Sequence, residues 1–275
     1  MSRIFFNAQR ACWLLCLLVA MTVTTVLTGC ASSTQSVTGG RADLVTDSDE
    51  SSARKRARIR VELAMGYLEQ GKTSIALDEV KLALAADPDF ADAYSLRGLI
   101  YMRLNEFELA QDSFLKALSL RPRDPNILHN LGWLKCQQAR YPEAMADFSA
   151  ALAVPSYGER AKTYMTQGIC QIRAGQRSEA EQSLRKSYEF DASNPVTGYN
   201  LANLLFQNGE FARAQFYIRR LNNSARSNAE SLWLGIKVER QMADRVAMLQ
   251  LANQLEKRFP QSKEVASYRR GAFDE

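Results

Sequence analysis

Residues 91–124 read ADAYSLRGLIYMRLNEFELAQDSFLKALSLRPRD, and their landmarks recur along the chain. The small residue Gly98 has counterparts at Ala64, Gly132, Gly168, Ala202 and Gly235, at steps of 34, 34, 36, 34 and 33 residues. A second series, Ala76, Ala110, Ala144, Ala180, Ala214 and Ala247, has the same five steps. Two series sharing one set of spacings mark six copies of one unit. Phe114 is matched by Phe148, Leu184, Ile218 and Leu251, and Tyr101 by Tyr67. The chain is rich in Ala, Leu, Arg, Glu and Gln, with 14 Gly and 7 Pro in 275 residues, which favours helix over strand.

Each unit therefore reads as a helix pair, A then B. The small residue of A faces the Ala of B where the backbones come closest, and Tyr101, Phe114 and Phe148 fill the wider space between units. Pro88, Pro122 and Pro260 end B helices, since proline cannot continue one. Gly71, Asn105, Gly175 and Gly209 stand at one place in the A–B turn and tolerate a left-handed backbone. Ala139 and Met242 occupy that place in units three and six. Two residues are inserted near Pro155-Ser156-Tyr157-Gly158.

This pattern resembles the tetratricopeptide repeat, six copies over residues 57 to about 260. The fold expected is all-α: a right-handed superhelical solenoid over 54–275. Its repeats run at about 57–90, 91–124, 125–160, 161–194, 195–227 and 228–260, with a capping helix over 261–275. In such repeats the A helices build the concave wall. The usual inward positions map to Leu99, Met102 and Arg103; to Asn126, His129 and Trp133; to Met165, Ile169 and Arg173; and to Tyr199, Asn203 and Phe206. Apolar and aromatic side chains interspersed with Asn and Arg suit a bound peptide. The plainer alternative is that Trp133 or Met102 packs between helices.

The N-terminus carries an address. Arg3 and Arg10 flank a short n-region, an apolar stretch runs from Ala11 to Leu27, and Leu27-Thr28-Gly29-Cys30 follows. This is the anatomy of a bacterial lipoprotein signal peptide over 1–29, with the Cys30 thiol as the acceptor of diacylglycerol. Read instead as a permanent anchor, the apolar stretch is near the lower limit for a span. Ala31 and Ser32 follow the cysteine with no retention Asp, so by resemblance to that sorting rule the destination is the periplasmic face of the outer membrane. Several acyl chains together anchor stably. Residues 30–53 read as a flexible tether, and about twenty such residues reach about 25 Å on a random-chain estimate. The basic run Arg54 to Arg60 suits lipid headgroups or, more plainly, the solvated start of a helix.

Composition excludes several classes. The 35 basic and 30 acidic residues fall to 33 and 30 once Arg3 and Arg10 are removed, nearly neutral, so there is no global charge for nucleic acid. His129 is the single histidine, which argues against a His-rich metal site, and no nucleophile accompanies it. Gly66 to Thr73 satisfies the letters of a phosphate-binding loop, yet helical spacing precedes it where a strand is needed, so no nucleotide is expected. No cofactor, metal or enzymatic activity is expected. Cys136 and Cys170 lie on A helices of adjacent repeats in an oxidising compartment. A bridge and two buried thiols both remain open.

The chain further resembles the type IV pilus biogenesis and stability lipoprotein family, the pilotins called PilF or PilW. The resemblance rests on Leu131-Gly132-Trp133-Leu134-Lys135-Cys136-Gln137, Tyr157-Gly158-Glu159-Arg160-Ala161, Gly168-Ile169-Cys170, Leu232-Trp233-Leu234-Gly235-Ile236 and Phe259-Pro260-Gln261-Ser262. It implies a Cys136–Cys170 disulfide, and it implies type IV pilus secretin subunits as the partner, brought to the outer membrane and helped to oligomerise. A lipoprotein adaptor that gathers peptidoglycan hydrolases or other envelope proteins is the alternative.

Overall fold

A computed structural model describes residues 49–274; the stretches expected to be signal peptide and tether, Cys30 included, lie outside them except for the last residues of the tether. The described residues form thirteen helices: α1 (Ser52–Glu69), α2 (Thr73–Ala86), α3 (Ala91–Arg103), α4 (Phe107–Leu120), α5 (Pro125–Gln137), α6 (Tyr141–Leu152), α7 (Arg160–Arg173), α8 (Arg177–Phe190), α9 (Pro195–Gln207), α10 (Phe211–Asn222), α11 (Ala229–Gln241), α12 (Arg245–Arg258) and α13 (Lys263–Arg270). No strand occurs among them. Odd-numbered helices to α11 are the A helices and even-numbered ones the B helices. Each A helix packs on its own B helix and on the next A helix, and α13 covers the last pair. This is an all-α tetratricopeptide superhelix of six helix pairs.

Local chemistry sets the boundaries. Ser51 caps α1, so Ser52 and Ala53, which the sequence reads as tether, belong to its first turn. Asp124 and Asn194 accept N–H groups of the first turns of α5 and α9, each with proline just inside the helix. Asn228 and Ser231 form a reciprocal cap on α11. Three of the five basic residues in the run pair within the fold: Arg54 with Asp87, Arg58 with Glu62 and Arg60 with Glu79.

The small-residue series has a sharper cause than contact with an alanine. A Cβ on Gly98 would lie 2.5 Å from the Phe114 ring, on Gly132 2.8 Å from Phe148, and on Gly168 2.7 Å from Leu184. The large residue of helix B packs on the glycine of its own repeat and also reaches the next one: Phe114 shares a cluster with Ile127, Leu131 and Leu134, and Phe148 with Cys170.

Repeat six departs from its expected alignment. Left-handed residues close the A–B turns at Gly71, Asn105, Ala139, Gly175, Gly209 and Ala243, so the last lies one residue beyond Met242. In that register Ile236 takes the small position and Ala252 the large one, both buried in one cluster with Leu232 and Leu255. The two volumes are exchanged between helices and their sum is kept, which packed cores tolerate.

Candidate functional site

The twelve expected groove residues divide by burial. Met102 is 7% exposed and sits in the core with Phe114 and Leu134, so it is not a groove residue. His129 is also removed from the groove: it is 5% exposed, lies against Phe148, and its Nδ1 is 2.9 Å from Thr163 Oγ1. Burial, with Lys162 nearby, pushes its pKa down to about 4, leaving a neutral ring. Thr163 Oγ1 is hydrogen-bonded both to the neutral imidazole and to the Tyr157 hydroxyl, 2.7 Å away. The inserted Tyr157 thus plugs the seam between repeats three and four.

Leu99 is half-buried against the cores of repeats one and two. Asn126 and Arg103 are exposed, and Arg103 reaches the Leu68 carbonyl. Met165 and Ile169 are half-buried. The Arg173 guanidinium lies 4.9 Å from the Trp133 ring centre, a cation–π contact joining repeats four and three. Behind this wall Cys136 and Cys170 form a disulfide with Cα atoms 5.9 Å apart, tying α5 to α7.

The concave face deepens toward its C-terminal end. Tyr199 and Asn203 of α9 line a cleft of about 260 Å³ with Glu230, Trp233 and Lys237 of α11 and Glu264 of α13. Phe206 packs beside it, against Phe211 and the core of repeats four to six. In the shifted register Trp233 is the counterpart of Tyr199 and Lys237 that of Asn203. The sequence assigns inward positions only in repeats two to five, so neither is expected there. Trp233 is held flat against Phe273 and edge-on to Tyr268, so the capping segment fixes the aromatic floor. The Lys237 ammonium sits 5.6 Å from the Phe206 ring and 5.7 Å from Trp233, and burial lowers its pKa. Burial raises the pKa of the Tyr199 phenol, which keeps its proton as a donor.

The half-buried Tyr199 and Asn203, above the buried Trp233 and beside charges of both signs, suit a polypeptide: the phenol ring can meet an apolar side chain and the polar groups its backbone. Among the described residues no three His, Cys, Asp or Glu side chains gather to hold a metal, and no helix is long and apolar enough to cross a membrane.

Comparison with known proteins agrees with this architecture. The tetratricopeptide-repeat family model matches residues 91–124. The type IV pilus assembly protein PilF of Pseudomonas aeruginosa is 28% identical over 242 residues, 88% of this chain and 93% of that protein. A solved structure of Pseudomonas aeruginosa PilF aligns with a TM-score of 0.70 at 26% identity, covering 80% of this chain and 100% of the other. The crystal structure of PilW, a widely conserved type IV pilus biogenesis factor, aligns with a TM-score of 0.69 at 30% identity, covering 77% and 97%. Similarity of this extent, along chains built of the same repeats, places the protein in the type IV pilus biogenesis family of tetratricopeptide-repeat proteins that includes PilF and PilW.

Proposed function

We propose that the protein is a pilotin: a lipoprotein held at the periplasmic face of the outer membrane through acyl chains on Cys30, which binds type IV pilus secretin subunits and promotes their localisation and oligomerisation. The observation that carries the reading is the concave cleft over α9, α11 and α13, whose aromatic, amide and charged lining suits a polypeptide, in a chain of the pilus-biogenesis family. Asn203 and Glu230 line it without belonging to the core, so they can be altered without unfolding the protein.

The test is a gene deletion complemented with wild type or with Asn203→Arg plus Glu230→Arg. Deletion should deplete heat-resistant secretin multimers and surface pili. The double variant should fail to restore them while keeping the wild-type melting temperature. Normal multimers and pili in the deletion would sink this reading and favour the hydrolase adaptor.

A further inference from the structure

A second cleft, of about 330 Å³, opens on the opposite side of the solenoid between α10 and α12. It begins with a departure from the repeat's own pattern. At the place eight residues after the B-helix alanine, repeats one to three carry Leu84, Leu118 and Leu152 and repeat four Tyr188, whereas repeat five carries the polar Asn222 and repeat six, in its shifted register, the polar Glu256. Asn222 is 6% exposed. Its Nδ2 donates to the Ser231 carbonyl at 2.9 Å, which fixes the orientation of the amide, and its Oδ1 is buried with no donor. An acceptor left unpaired in this way keeps its desolvation penalty until a donor reaches it.

Gly235 shares in that arrangement. A Cβ there would lie 2.5 Å from Asn222 Nδ2, so the helix carries a glycine, unfavourable in a helix interior, at the point where the amide must fit.

The ions in the cleft are already matched. Arg219 donates twice to the fully buried Glu239 carboxylate, at 2.7 and 2.8 Å, and once to Asp244 at 2.9 Å. What the cleft still offers is amide chemistry: Asn222 Oδ1 together with Gln250 and Gln254, exposed one turn apart on α12. An amide side chain carries a donor and an acceptor in the geometry of a peptide bond. At the rim Val246 is 68% exposed, an apolar contact beside those amides.

We propose that the α10–α12 cleft receives an extended polypeptide segment, whose backbone N–H groups and carbonyls pair with Asn222, Gln250 and Gln254. This second site faces away from the concave cleft and does not depend on the secretin reading. A partner taken up there leaves the concave face open.

The test selects 12-residue phage-displayed peptides on the full chain in detergent, with counter-selection on Asn222→Leu, which restores the residue of repeats one to three. Synthetic versions of the survivors should bind wild type and weaken at least tenfold with Asn222→Leu and with Gln250→Ala plus Gln254→Ala. They should also weaken when a central backbone nitrogen is methylated, and keep their affinity for the Asn203→Arg, Glu230→Arg variant. Should Asn222→Leu not fold, the glutamine pair, on an exposed helix face, decides alone. The proposal fails if no peptide survives counter-selection, if backbone methylation has no effect, or if only the concave variant loses binding. It also fails if purified peptidoglycan strands, and no peptide, bind in an Asn222-dependent way.

Discussion

One methyl group separates two glycines with opposite expected behaviour. At Gly98 an added Cβ meets the buried Phe114 ring at 2.5 Å, while at Gly66, inside α1, nothing lies within 4 Å. Gly98→Ala should destabilise by about 1–3 kcal/mol through overpacking. Gly66→Ala should stabilise by roughly 0.5–1 kcal/mol by reducing the freedom of the unfolded chain. Denaturant titrations of the two variants check both signs. His129 gives a second prediction at this scale. The folded protein keeps the ring neutral down to about pH 4, whereas the unfolded chain takes up a proton near 6.5. Its contribution is therefore complete above pH 6.5 and is lost as the pH falls toward 4, by roughly 3 kcal/mol in all. His129→Gln should flatten that part of the stability profile, read by chemical denaturation at pH 7 and pH 4.5. The sequence placed His129 in the groove because its repeat position points inward; Tyr157, from an insertion outside the repeat, is what closes over the seam.

At the scale of elements, the disulfide closes a loop with a sequence separation of 34 between α5 and α7. Replacing Cys136 and Cys170 together by Ala should cost up to about 4 kcal/mol in the chain-entropy model. The loss should be largest for repeats three and four, where protected amides should exchange hydrogen faster; equal loss of protection along all thirteen helices would contradict this. Helix pairs and turn residues were legible in the sequence because each obeys a local rule: Pro88 and Pro122 end B helices, and Gly71 or Gly209 turns one back. Repeat six was not legible to one residue, because matching small with small aligned Gly235 with Ala202, whereas the fold pairs Ile236 with Ala252. An exchange of volumes across a contact is invisible to a pattern that scores each position alone. Trp233 and Lys237 lie in repeat six, beyond the repeats whose inward positions the sequence assigns, and the part played by α13 in the cleft depends on tertiary packing that no period encodes.

For the whole molecule, the anchor and the cleft make separable contributions under the proposed function. Tethering confines the binding surface and an outer-membrane client to one plane, which raises their effective concentration without adding a contact. Cys30→Ala leaves all residues of the solenoid unchanged, so secretin binding measured with purified protein should stay at the wild-type level. In cells the same variant should lose labelled-fatty-acid incorporation and show fewer secretin multimers and pili than wild type. Asn203→Arg plus Glu230→Arg should do the reverse, keeping the lipid and losing the binding. Overproducing the Cys30 variant should recover part of the function by mass action, because concentration substitutes for confinement, whereas overproducing the cleft variant should recover none. Fatty-acid labelling that persists in Cys30→Ala would show that the lipid is not carried by Cys30, and full piliation by that variant at ordinary expression would show that confinement is dispensable.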